Sequence, residues 1–254
     1  MKKPLLAAAA SIFGLVFVMS PIADLHAAEL KVLAGGSMTG LLNELGPQFE
    51  RASGHKVTIH FDSTPNLIKL ATSGAPFDLG VVPVDVFRNA EAMARFAPGP
   101  NLDIARVGYG VAVRAGAAKP DVSTPDALKK TLLDAQSIAY LPASAAGAYV
   151  TSVFERLGIG EAMKAKTKPQ TATGDIAKAV AKGDAELGVF LINVLMAPGV
   201  EIAGPFPAEL QNDLVFTSAV AADTKEAEAA KAFITYLKTP AAVAVIKAKG
   251  MEPG

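Results

Sequence analysis

The sequence predicts an α/β protein of two lobes, each a mainly parallel sheet flanked by helices, with a ligand cleft between them. Three observations carry that prediction. From residue 30 onward, short apolar runs alternate with stretches of helical period, the pattern of parallel strands covered by helices. After a strand-like run at 106–116 the alternation restarts, giving a second set of units. The joints where strands pass into helices are small and rich in hydroxyls, and such joints are where open parallel sheets take their ligands.

Residues 1–28 stand apart from this pattern. Lys2 and Lys3 precede an apolar run from Leu5 to Val18, Pro21 breaks it, and Ala27 and Ala28 supply small residues for cleavage. That is the layout of a secretory signal peptide, and the run is shorter than the ~20 residues a membrane-spanning helix needs. The chain is therefore expected to be exported, with lobes beginning at residue 29. It contains no cysteine, so neither a disulfide nor a lipid anchor on cysteine is available. Lysine plus arginine number 24 and aspartate plus glutamate 24, a balance with no electrostatic footprint for nucleic acid or an anionic membrane. What remains after the signal peptide is long enough to bury a sufficient core without covalent staples.

In chain order, "LKVLA" (30–34) reads as a buried strand. A helix follows with Leu41, Leu42, Leu45 and Phe49 on one face, ending at Gly54. "KVTIHF" (56–61) alternates as a strand should, and "NLIKLATSG" (66–74) is a short helix closed by glycine. "FDLGVVPV" (77–84) is a strand, "DVFRNAEAMARF" (85–96) a helix, and "RVGYGVAVRAG" (106–116) a longer strand-like run. The second set opens with a helix at 124–133, where Thr124 is a candidate N-cap and Pro125 suits the first turn. "SIAYLP" (137–142) is a strand, 146–158 a helix, 175–183 a helix and "AELGVFLI" (185–192) a buried strand. A proline-rich passage at 197–210 precedes the strand "LVFTSAVAA", and two helices broken at Pro240 close the chain. Because that closing pair has no sheet of its own, it is assigned to the first lobe. The expected division is 29–107 with 206–254 for lobe 1, and 108–205 for lobe 2.

Four joints share one character: Gly35-Gly36-Ser37-Met38-Thr39, Asp62-Ser63-Thr64-Pro65-Asn66, Ala143-Ser144-Ala145-Ala146-Gly147 and Thr171-Ala172-Thr173-Gly174-Asp175. Each opens a helix, whose first turn leaves backbone N–H groups unpartnered and carries about half a positive charge. Small side chains let a ligand reach those amides, and hydroxyls add donors, which together suit an oxyanion or a carboxylate. Any one joint is explained equally well as ordinary N-capping. Four of them, split between two lobes, point further.

Catalytic chemistry is the rival class. Beyond the signal peptide only His55 and His60 are present, and no H-E-x-x-H, cysteine pair or acidic metal spacing occurs. The first joint misses the G-x-S-x-G nucleophile elbow because Thr39 stands where its second glycine belongs. His60 is the one candidate base for Ser37 or Ser63 in a serine-dependent hydrolase. "GYGVAV" lacks the third glycine of a dinucleotide fingerprint, and there is no P-loop. No catalytic residue, cofactor or metal site is assigned.

"VLAGGSMTGLLNELGPQFERASGHKVTIHFDSTPNLIKLATSGAPFDLGVV" resembles the N-terminal lobe of the periplasmic molybdate-binding proteins of ABC transporters. "ASAAGAYVTSVFERLGI", "AKAVAKGDAELGVF" and "AAKAFITYLKTPAAVAVIKAKGMEP" are similar to the later blocks of the same family. The resemblance implies the type II periplasmic binding protein fold and a monomer that delivers a small anion, molybdate or tungstate, to an inner-membrane permease. It implies serine contacts at Ser37 and Ser63 and backbone amide contacts at Ala146 and Ile176. Met38, Thr64 and Tyr149, beside these positions or in the first turn of a site helix, are further candidates. The family's tyrosine falls near Leu191, so Asn193 is the candidate replacement donor, and Asp62 stands where the family has a small residue. A small carboxylate is the alternative ligand, and a receptor feeding a sensor the alternative to a transport role.

Overall fold

The computed structural model describes residues 27–99 and 101–254, so all but the last two residues of the expected signal peptide lie outside it. The chain begins with β1 (Glu29–Gly35), a single 3-10 turn (Gly36–Met38), α1 (Thr39–Ser53), β2 (Lys56–Asp62), α2 (Thr64–Thr72) and β3 (Leu79–Pro83). A short α3 (Ala90–Met93) leads to β4 (Leu102–Val107), and the chain then crosses into β5 (Tyr109–Arg114). There follow α4 (Pro125–Asp134), β6 (Ile138–Tyr140), α5 (Ala145–Arg156), α6 (Gly160–Lys166), β7 (Thr167–Pro169) and α7 (Thr173–Lys182). β8 (Leu187–Leu191), α8 (Ile192–Leu195) and β9 (Val200–Pro205) complete that half. The chain returns through β10 (Leu214–Val220), α9 (Ala227–Leu237), α10 (Pro240–Ala248) and β11 (Glu252–Pro253).

These strands build two sheets, one per lobe. The six-stranded sheet runs β11-β4-β10-β3-β1-β2 and the five-stranded sheet β7-β6-β8-β5-β9. Both are mixed rather than mainly parallel. β1 pairs parallel with β2 and β3, and β6 with β7 and β8, each parallel partner being reached through a helix. β10 lies antiparallel to β3 and β4, and β5 antiparallel to β8 and β9. β5 and β10 are the strands entered directly from the other lobe, with no helical return to dictate their direction. Alternation of apolar runs in a sequence carries no sign of this.

The crossings are close together. β4 and β5 are separated by Gly108 alone, so the single strand expected at 106–116 is two strands in two sheets. The Gln211 side chain clips the crossing from the other connection: its Oε1 accepts from the Tyr109 amide at 2.7 Å and its Nε2 donates to the Tyr109 carbonyl at 3.0 Å. A Cβ at Gly108 would stand 3.0 Å from that side chain. The Phe206 amide donates to the same Tyr109 carbonyl at 2.9 Å, placing the exit from β9 beside the entry to β5. The helix expected at 85–96 is instead a 3-10 turn (Val84–Arg88) followed by α3, because extended Asn89 caps a new start by accepting from the Ala92 amide at 2.9 Å.

One apolar cluster continues through both lobes, including Leu45, Phe49 and Phe216 on one side and Val111, Phe154 and Phe190 on the other. The stripe read from the sequence, Leu41, Leu42, Leu45 and Phe49, is the buried face of α1. Phe49 meets Phe233 of α9 at a ring separation of 4.8 Å, so the closing helices pack on α1. Each such buried side chain contributes roughly 1.5–3 kcal/mol. A smaller cluster around Leu67, Phe77, Val82 and Phe96 seals α2 against the sheet.

Candidate functional site

The helix starts of both lobes converge. β1 delivers Gly36 and Ser37, β2 delivers Asp62, Ser63 and Thr64, and α5 delivers Ser144, Ala145 and Ala146 around one inner cavity of about 20 Å³. Phe190 of β8 and Phe216 of β10 form its apolar floor. A cavity of that size holds little more than one water, so a larger guest requires the walls to part. Outside it lies a cleft of about 510 Å³, where Gly36, Thr39, Asp62 and Ser63 face Gln170 and Thr173 of the other lobe. Gly35 lets the chain turn here, since a Cβ on it would stand 2.8 Å from the Phe216 ring.

The local chemistry is that of unpartnered donors. Ser63 is the N-cap of α2, yet its hydroxyl makes no capping bond, and Pro65 in the first turn removes one amide. At α5 the Ser144 hydroxyl accepts from the Gly147 amide at 3.0 Å and donates to the Leu141 carbonyl at 2.9 Å. Helix geometry then leaves the Ala145 and Ala146 amides without intrahelical acceptors. At α7 the N-cap Ala172 offers no side-chain bond, which leaves the Thr173 and Gly174 amides free.

Hydrogen bonds reach from the second lobe onto the first joint of the other. The Thr173 hydroxyl donates to the Gly36 carbonyl at 3.1 Å, and Asn193 Nδ2 donates to the Ser37 carbonyl at 2.7 Å. Asn193 Oδ1 is buried without a hydrogen-bond partner. The lobes therefore stand in a closed arrangement.

Among the described residues, Asp62 is the one charged residue on the walls of both the cavity and the cleft. Its Oδ1 accepts from the Ser63 amide at 2.7 Å and from Asn66 Nδ2 at 2.8 Å, and its Oδ2 lies 3.4 Å from His60 Nε2. Burial pushes the carboxyl up, but the bonds from Asn66 and the Ser63 amide, with His60 beside it, hold it below the ordinary carboxylate value. A carboxylate thus already sits at the start of α2.

Of the residues singled out from the sequence, Ser37, Ser63, Thr64 and Ala146 line the inner cavity. Ile176 is fully buried in the first turn of α7 and lines neither the cavity nor the cleft, to whose walls that helix contributes Thr173 and Gly174. Met38 is fully buried beneath the 3-10 turn. Tyr149 lies away from the walls, its hydroxyl donating to the Leu210 carbonyl at 3.0 Å and its ring 4.8 Å from Tyr109. Asn193 spends its donor on Ser37, and Leu191 is buried at the end of β8. His60 faces Asp62, while His55 Nδ1 accepts from the Ala28 amide at 3.2 Å, so the hydrolase reading gains no base at either serine. Among the described residues no group of three or more histidine, cysteine, aspartate or glutamate side chains could hold a metal.

Two mixed α/β lobes, joined by paired crossings and opposing their helix starts over a cleft, constitute the type II periplasmic binding protein fold. Solved structures share it: the periplasmic molybdate-binding protein of Azotobacter vinelandii superposes with a TM-score of 0.74 at 24% identity, over 89% of this chain and 99% of that one. The tungstate-binding protein TupA of Desulfovibrio alaskensis superposes at 0.64 with 16% identity, over 90% and 99%. The chain belongs to the family of bacterial extracellular solute-binding proteins, which it matches over residues 30–252. Among its relatives, an aconitate isomerase from a Pseudomonas species is 32% identical over 88% of this chain and 87% of that protein. The molybdate-binding protein ModA of Azotobacter vinelandii is 29% identical over 89% of this chain and 90% of its own length.

Proposed function

We propose that the protein is the exported, periplasmic receptor of an ABC importer, taking a small anion between its lobes and presenting the closed form to an inner-membrane permease. The observation that carries this reading is the convergence of helix starts from both sheets on one cavity. The moving bodies are proposed to be 29–107 with 206–254 on one side and 108–205 on the other, hinged at Gly108 and the connection that bears Gln211. Ser37 and Ser63 supply hydroxyls, and Thr64, Ala146 and the first turn of α7 supply amides. By kinship with ModA, molybdate or tungstate is the first ligand to test.

A thermal-shift panel of molybdate, tungstate, sulfate, phosphate and small carboxylates on the mature chain tests the reading. A ligand at about 100 times its dissociation constant should add about 2.7 kcal/mol of stability. Ser37→Ala should abolish most of the shift. If no anion moves the melting temperature, the reading is wrong; an unchanged shift in Ser37→Ala moves the site elsewhere.

A second reading is favoured by the aconitate isomerase relative together with the Asp62–His60 pair, of which Asp62 is on the cleft wall and His60 stands behind it. It is that the guest is a polycarboxylate, and that the pair moves a proton on it. Incubation with each geometric isomer of aconitate, followed by proton NMR of the vinylic signal, decides: conversion by the wild type that Asp62→Asn loses supports it, and no conversion sinks it.

A further inference from the structure

We propose that Asp62 is a specificity-determining residue that turns the cleft away from compact, doubly charged oxyanions and toward carboxylates. The inference rests on the anion-receptor reading above and narrows its ligand. Among the described residues, Asp62 is the only charged residue on the walls of the cavity and cleft. It is pinned there by the Ser63 amide at 2.7 Å and Asn66 at 2.8 Å, so it cannot swing out without breaking both bonds. Those contacts also use up the Ser63 amide, one of the donors at the start of α2 that an arriving oxyanion would seek.

Charge arithmetic then separates ligand classes. At equal distance a dianion concentrated on one centre is repelled by Asp62 twice as strongly as a single carboxylate. A polycarboxylate spreads its charge along its length, so only the nearest group feels Asp62 in full. A carboxyl group can also share a proton with the Asp62 carboxylate, converting repulsion into a hydrogen bond. His60 lies on the outer oxygen at 3.4 Å and is the titratable group facing Asp62. Gly36 and Thr39 from the first joint, and Thr173 and Gly174 from α7, face the same cleft without charge. Among the described residues, no lysine or arginine on the walls offsets the carboxylate.

Isothermal titration of the mature chain with sodium molybdate and with cis-aconitate tests the idea in four proteins: wild type, Asp62→Asn, Asp62→Ser and Asp62→Glu. Asp62→Asn keeps an oxygen for the Ser63 amide while removing the charge and the oxygen that faces His60, so a folding defect in the serine variant does not blunt the test. The expected result is a wild type that prefers the carboxylate, and at least a tenfold shift of the affinity ratio toward molybdate in Asp62→Asn and Asp62→Ser, with Asp62→Glu staying near the wild type. A wild type that binds molybdate and an Asp62→Asn ratio unchanged within threefold would overturn this inference and leave the receptor reading standing. Binding of neither anion by any of the four proteins would overturn both.

Discussion

At the start of α5 the chain passes so close to its own preceding loop that one position admits only glycine. A Cβ on Gly147 would stand 1.7 Å from the Leu141 carbonyl oxygen, a backbone atom that cannot rotate away. Gly147→Ala should therefore cost at least about 3 kcal/mol in urea unfolding, far above an ordinary surface change. Asp62 makes a different residue-scale prediction. Its carboxyl titrates below its ordinary value in the folded state, so its stabilising contribution is present above the unfolded value and is lost as pH falls through the folded one. Acid titration followed by circular dichroism should show that loss below about pH 4, and Asp62→Asn should flatten it. Residue by residue, the place of Ser37, Ser63 and Ala146 on the cavity wall is legible because small or hydroxylated residues at helix starts have a direct physical reading. The side chain of Ile176 lies off both walls. Its neighbours Thr173 and Gly174 reach the cleft because α7 starts at Thr173, after an N-cap, Ala172, whose side chain makes no capping bond and so marks no boundary in the sequence.

The elements carry the site by their ends. Ser144 closes the start of α5, binding both the Gly147 amide and the Leu141 carbonyl. Ser144→Ala should cost about 1 kcal/mol, measured by urea unfolding, and should weaken anion binding, because the turn holding the Ala145 and Ala146 amides loosens. Most strands and helices were readable from periodicity, since each buries one clear face. The failures have physical causes. Asn89 divides an otherwise helical pattern by capping a second start. β9 lies in the proline-rich passage, to which no separate strand is assigned, and β7 is too short, at three residues, to set up a period. Strand direction left no trace, because parallel and antiparallel strands bury the same residues.

For the whole molecule the decisive contacts are those between lobes. Thr173 on Gly36 and Asn193 on Ser37 latch the cleft with two hydrogen bonds. A variant combining Thr173→Val and Asn193→Ala should be more open without ligand, with a larger radius of gyration in small-angle X-ray scattering, and should close to the wild-type value when ligand is added. Its fold should suffer little, since Asn193→Ala also removes a buried oxygen that has no partner. An unchanged radius would mean that closure is set by the apolar packing alone.

The chain enters β5 and leaves β9 at neighbouring points, with the Phe206 amide on the Tyr109 carbonyl at 2.9 Å. Everything from 109 to 205 is consequently a cassette whose two ends already touch. A cut from Gly108 to Pro207 would spare the strand pairs of the six-stranded sheet, yet it would bare the apolar cluster that the two lobes share. A new grip grafted onto this old handle would therefore need a matching apolar face as well as matching ends.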